Sequence, residues 1–128
     1  MRDITELVHR YVGVWNEADP EARRRTIASL WSKDGATLHN TAENSARGYE
    51  AIEARVASAY EKWVRTGGFV FRPRTNVDAH HDVVKFGWEM VPAAGGEAAA
   101  TGVDVFILDD DGRIRVDYMF NDPPSPQK

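Results

Sequence analysis

Two carboxylates lie where strands are expected. In TGVDVFILDDDGRIRVDYMFND, residues 101–122, Asp104 sits between Val103 and Val105, and Asp117 sits between Val116 and Tyr118. A lone carboxylate on a covered strand face costs desolvation free energy unless it is paired or protonated. Burial raises its pKa, and the acid form can then donate a hydrogen bond. Asp104 is therefore the first candidate for chemistry; the alternative is a structural bond to a helix backbone or an arginine. Tyr11 falls on an apolar helical stripe, either as a core tyrosine with a satisfied hydroxyl or as a donor into a site. His39 ends an apolar strand, where an imidazole titrating near neutral pH suits a general acid or base, or is simply a satisfied strand-end histidine. Asp117 can share a proton with Asp104 or bind a polar group. Its plainer alternative is a salt bridge to Arg113 or Arg115 at the sheet edge.

The elements that must position these groups follow from periodicity. Ile4, Leu7, Val8, Tyr11, Val12 and Trp15 recur at helical spacing, so helix one covers about Asp3 to Ala18, with Asp3 and Glu6 as a capping box. Asp19-Pro20 stops it and starts helix two, which runs to about Trp31. SKDG reads as a turn, ATLHN as a short strand and TAENSARG as a loop. Helix three follows, with a stripe of Tyr49, Ile52, Val56, Tyr60 and Trp63 ended by Gly67-Gly68. The remainder is strand-like: FVFRPRTNVDAHH, with Pro73 marking an edge or bulge, then VVKFGWEMV, AAATGVDVFIL and RIRVDYMFN. Short connections imply antiparallel pairing, and helices followed by strands imply an α+β fold.

Side-chain alternation gives each strand two faces. Val84, Phe86, Trp88 and Met90 share one side; Asp104 sits with Ala100, Gly102 and Phe106; Asp117 sits with Met119 and Asn121. Small Ala100 and Gly102 beside bulky Phe86 and Trp88 leave space for a pocket. Trp15, Phe86, Trp88, Asp117, Met119 and Asn121 are the candidates for its wall, and a small hydrophobic molecule is the expected occupant. The opposite face, with Val116, Tyr118 and Phe120, is also apolar and calls for a cover, most simply a second copy in a homodimer. His80 and His81, adjacent on a strand, point to opposite faces and suit a surface turn. No spacing suggests a metal site.

Bulk composition narrows the function classes. The 128 residues suit one domain, expected over 1–122, with a Pro-rich flexible tail at 123–128. A net charge of −4 and the lack of a basic face give no reason to expect nucleic acid. No apolar run approaches a membrane span, and the charged, helical N-terminus is unlike a secretory signal peptide. Without cysteine there is no disulfide or cysteine nucleophile, which fits a reducing cytoplasm.

RYVGVWNEAD, LWSKDGATLHN, ARGYEAI and GVDVFILDDDGRI resemble the signposts of the SnoaL-like and ketosteroid-isomerase-like branches of the nuclear transport factor 2-like (cystatin-like) superfamily. The resemblance runs from about Ile4 to Asn121. It implies three N-terminal helices packed on a strongly curved antiparallel or mixed sheet, a cone with an internal pocket. The superfamily hosts isomerases, cyclases, hydratases and epoxide hydrolases as well as proteins without known activity. In its isomerase pattern an oxyanion-binding tyrosine follows an arginine in helix one, matched by Arg10-Tyr11. A carboxylic acid on the strand before the GRI turn is the second donor, matched by Asp104. The base is an aspartate ending the short strand after helix two, and here that position holds His39, an imidazole of different reach and pKa. The resemblance thus implies a cofactor-free isomerase or cyclase that moves a proton next to a carbonyl, with Tyr11, His39 and Asp104 catalytic. A binding protein for a small hydrophobic metabolite is the alternative.

Overall fold

A computed structural model describes residues 3–121; the tail expected over 123–128 lies outside them. Helix α1 spans Ile4–Val14, and its first turn is closed by Asp3, whose Oδ1 accepts from the Glu6 N–H at 3.2 Å. Helix α2 (Pro20–Leu30) begins the same way: Asp19 accepts from the Glu21 N–H, and Pro20 occupies the first helical position, where no donor is lost. Helix α3 (Tyr49–Ala59) continues as a π-helical stretch over Tyr60–Thr66 before Gly68, at φ +77°, turns the chain away.

The strands are β1 (Trp31–Leu38), β2 (Ala46–Arg47), β3 (Phe69–Pro73), β4 (Asp78–His80), β5 (Val83–Pro92), β6 (Ala100–Leu108) and β7 (Ile114–Asn121). They form one mixed sheet in the order β2-β1-β7-β6-β5-β3, with β4 also paired to β5. Only β1 and β7 run parallel; the other pairs are antiparallel. The architecture is the expected α+β arrangement of three helices packed on a mixed sheet.

Three local readings change. Helix α2 ends at Leu30, and Trp31 already belongs to β1. The SKDG segment is not a free turn but an irregularity inside β1: between Trp31 and Ala36 the register against β7 shifts, because five steps on β1 oppose two on β7. Gly35 makes this possible, since a Cβ there would lie 2.8 Å from the Ile114 carbonyl oxygen. The long strand expected from Phe69 is broken after Pro73, and β3 and β4 pair with separate parts of β5. The intervening loop returns to β5 through Gly87, whose carbonyl accepts from the Arg74 N–H and whose N–H donates to Asn76 Oδ1.

The core is the seam between helices and sheet. Leu7 and Val8 of α1, Ile27 and Leu30 of α2, and Ile52 and Val56 of α3 meet Val84, Phe86, Phe106 and Ile114 of the sheet. Each such side chain contributes about 1.5–3 kcal/mol when fully buried. Helices of 11 residues are marginal alone, so this seam holds them in place.

Candidate functional site

Tyr11 stands in the seam between the helices and the sheet. Helix α1 carries it on its buried stripe, and four aromatic rings surround it: Trp15, Trp31, Phe86 and Phe106, with ring centroids 4.8–6.1 Å away. Such tilted and edge-on packing fixes the ring, and with it the hydroxyl. That hydroxyl lies 2.8 Å from Asp104 Oδ2 and 2.6 Å from Asp117 Oδ2.

Strand register explains the meeting. On β6 and β7, Asp104 pairs with Met119 and Phe106 with Asp117, which makes the two aspartates diagonal neighbours on one face. On the far side, β1 pairs Thr37 with Asp117, and Thr37 Oγ1 donates to Asp117 Oδ2 at 3.0 Å. The salt bridge considered for Asp117 does not form. Its side chain faces inward, fully buried, whereas Arg113 approaches Asp111 in the turn.

A phenol has one proton. It can donate to one of the two carboxyl oxygens, so the second short contact requires a proton on the other carboxyl group. Burial raises the pKa of Asp104 well above the ordinary 3.8, and the Asp117 charge raises it further. Burial also raises Asp117, but its hydrogen bonds with Asp104, Tyr11 and Thr37 oppose the shift, as does His39 whenever its imidazole carries a proton on both nitrogens. The proton therefore belongs to Asp104: Asp104 donates to Tyr11, and Tyr11 and Thr37 donate to an ionised Asp117. Burial and the two carboxyl groups likewise push Tyr11 well above 10.0, so it stays a phenol.

Beside this cluster lies a cavity of about 240 Å³, bordered by Tyr11, Trp15, His39, Trp88, Asp104, Met119 and Asn121 among the expected residues. Two expected wall residues are not on it. Phe86 is fully buried in the core against Tyr11 and Phe106, and Asp117 stands behind Tyr11. Nor does Gly102 open space for a ligand. It pairs with Trp88, and a Cβ on it would fall 2.2 Å from the indole ring, so Trp88 occupies the room the missing side chain leaves. Ala100 does border the cavity.

The wall carries unspent hydrogen-bonding capacity. Trp15 Nε1, Trp88 Nε1, His39 Nδ1 and Asp104 Oδ1 are buried without a hydrogen-bond partner. Trp88 still favours the charged form of Asp104 by its nearness. His39 follows the end of β1, and its backbone is pinned by Ser45, whose Oγ accepts from the His39 N–H at 3.0 Å. In the Nε2–H tautomer, His39 Nδ1 would offer a lone pair. Sequence reasoning passed over Arg55 and Asn44, which also border the cavity. The signal for Arg55 was its place beside the buried stripe of α3, between Ile52 and Val56. Away from the site, His81 adopts φ +54°, which brings its Nδ1 within 3.0 Å of His80 Nδ1, so these rings do not diverge as expected. Among the described residues no three His, Cys, Asp or Glu side chains converge as a metal site, and no helix is long and apolar enough to cross a membrane.

Solved structures share this architecture. A candidate isomerase of the SnoaL-like family from Agrobacterium tumefaciens is 26% identical, with a TM-score of 0.81 over 91% of this chain and 95% of its own. A protein of unknown function with a cystatin-like fold from Methylobium petroleophilum is 20% identical, with a TM-score of 0.71 over 98% of this chain and 78% of its own. TerC, co-crystallised with polyporic acid, is 19% identical, with a TM-score of 0.65 over 94% of this chain and 92% of its own. No curated protein matches the sequence. The SnoaL-like domain model matches residues 8–116, which include Tyr11, Thr37 and Asp104 of the hydrogen-bonded cluster but not Asp117, and the chain belongs to that family.

Proposed function

We propose that the protein is a cofactor-independent isomerase or cyclase that transfers a proton next to a carbonyl of a small hydrophobic substrate. One observation carries the reading: Asp104 and His39 both border the cavity, and each keeps a buried atom without a hydrogen-bond partner, Asp104 Oδ1 and His39 Nδ1. In this reading His39 Nδ1 takes a proton from the carbon beside the carbonyl. The C–H electron pair moves into the enolate, whose oxygen accepts a hydrogen bond from Asp104 once substrate binding draws the carboxyl proton from the Tyr11 side at Oδ2 to Oδ1. Returning the proton to another carbon isomerises the substrate and restores neutral His39; alternatively the enolate carbon attacks a second carbonyl to close a ring, and the alkoxide formed there takes the proton back from His39. Burial and the Asp117 charge hold Asp104 in its acid form, and Tyr11 links the two carboxyl groups. The likeness to a candidate isomerase and to a protein crystallised with polyporic acid supports a small-molecule site.

A second reading is a binding protein without chemistry. It is favoured by the engagement of the Tyr11 hydroxyl with two carboxyl groups, which leaves it less free to serve as an oxyanion donor. Deuterium exchange next to the carbonyl of phenylacetone and 2-tetralone, followed by proton NMR in D2O, separates the two. The enzyme reading expects accelerated exchange, lowered about 100-fold in both His39→Ala and Asp104→Asn. Binding of these ketones without any acceleration would leave the binding protein as the answer. The proposal also includes a homodimer through the sheet face opposite the cavity, supported by the exposure of Tyr118 (42%) and Phe120 (54%). A cytoplasmic location, in keeping with a cysteine-free composition, belongs to the same reading.

A further inference from the structure

Four arginines among the described residues, Arg23, Arg65, Arg72 and Arg113, each have a carboxylate within 4 Å. Arg55 has none, although it is half-buried and borders the cavity. Its Nε donates to the Asn44 carbonyl at 3.3 Å, and its guanidinium carbon stands 5.4 Å from the centre of the Trp15 ring. These contacts fix the plane of the fork but use one of its five N–H groups, leaving both terminal nitrogens without a hydrogen-bond partner among the described residues. Holding a cation out of water without a counter-charge is costly. Burial accordingly pulls the Arg55 pKa below its usual 12.5. The unpaired Trp15 Nε1–H beside it is a second donor with nothing to receive it.

We infer that the cavity binds a flat apolar acid, whose carboxylate meets the two terminal nitrogens of Arg55 while its ring lies in the aromatic part of the wall. A planar oxyanion matches a guanidinium fork in shape and charge. The cavity size agrees: a void of about 150 Å³ admits benzene, and about 240 Å³ admits a ring with a short acidic arm. The inference rests on the reading of this cavity as the substrate site and narrows its substrate class to anions.

Cinnamate and its neutral twin cinnamamide, titrated calorimetrically into the full chain, test it. Cinnamate is expected to bind at least tenfold more tightly. Arg55→Met should bring the ratio near one while leaving the amide within about threefold of its original affinity, which also reports an intact cavity. Arg55→Lys, a milder change, should retain a reduced preference for the acid. Equal binding of the pair by the parent protein, no binding of cinnamate at millimolar concentration, or an unchanged ratio in either folded variant overturns the inference. The readout is binding alone. Acid selectivity that persists where deuterium exchange fails removes the chemistry and leaves the anion site; exchange without selectivity does the reverse.

Discussion

Strands β6 and β7 present two faces built on opposite terms. The inner face carries Asp104 and Asp117, both fully buried; the outer face carries Val103, Val105, Ile107 and Val116 with the exposed Tyr118 and Phe120. A rule that puts apolar groups inside and charges outside would assign these faces the wrong way round. The inner acids are tolerated because each answers another: Asp104 is neutral, Asp117 accepts two hydroxyl protons, and Tyr11 joins them. The outer aromatics have no such answer within the described residues and invite a partner surface. Polarity alone decides neither face; the supply of partners does.

The largest effect is expected from removing the link between the acids. Tyr11→Phe should destabilise the protein by about 2–3 kcal/mol in urea unfolding, since it strands two buried carboxyl groups. A loss below about 0.5 kcal/mol, the range of an ordinary surface change, would mean that the acids do not depend on the hydroxyl. A smaller effect tests the protonation state. The folded pKa of Asp104 is raised above the ordinary 3.8, so its contribution to stability is fully present below that value and is lost as pH rises toward the folded pKa. Asp104→Asn abolishes this titration. Its stability relative to the parent should therefore climb with pH above 3.8, by at most about 1.4 kcal/mol per pH unit. A difference that stays flat between about pH 4 and pH 8 would sink the proton assignment. The smallest effect belongs to the outer face. Phe120→Lys should change unfolding of the isolated chain by no more than about 0.5 kcal/mol, yet convert a dimer to a monomer in sedimentation. A parent protein that sediments as a monomer at every concentration removes the proposed homodimer.

The inner face was partly legible from sequence. Alternation put Asp104 and Asp117 on one side provided the strands kept register, helical spacing put Tyr11 on the apolar stripe of helix one, and the family resemblance linked Tyr11 with Asp104. What alternation could not convey was which partner Asp117 would choose, because that depends on β1 lying parallel to β7 with Thr37 beside it. The β1 irregularity was hidden for a related reason: SKDG has the composition of a turn, and only the Ile114 carbonyl close to Gly35 shows it held inside a sheet. Gly102 was read as empty space, whereas Trp88 folds over it. Arg55 escaped notice because a charged residue flanking an apolar stripe is ordinarily solvated. Its place on the cavity wall follows from the way α3 lies against β1 and β2, a tertiary fact. The helices and the last two strands were legible because their periodicity and their burial coincide.

The Tyr11–Asp117 contact joins residues 106 positions apart. During synthesis, at about 5–20 residues per second, the helix bearing the phenol leaves the ribosome several seconds before the strand that must receive its proton. A nascent chain therefore emerges with the tyrosine and the first aspartate but without the second, and only completion of the last strand supplies the acceptor. The same strand that finishes the sheet also finishes the hydrogen-bonded cluster, so a truncated product would lack both together.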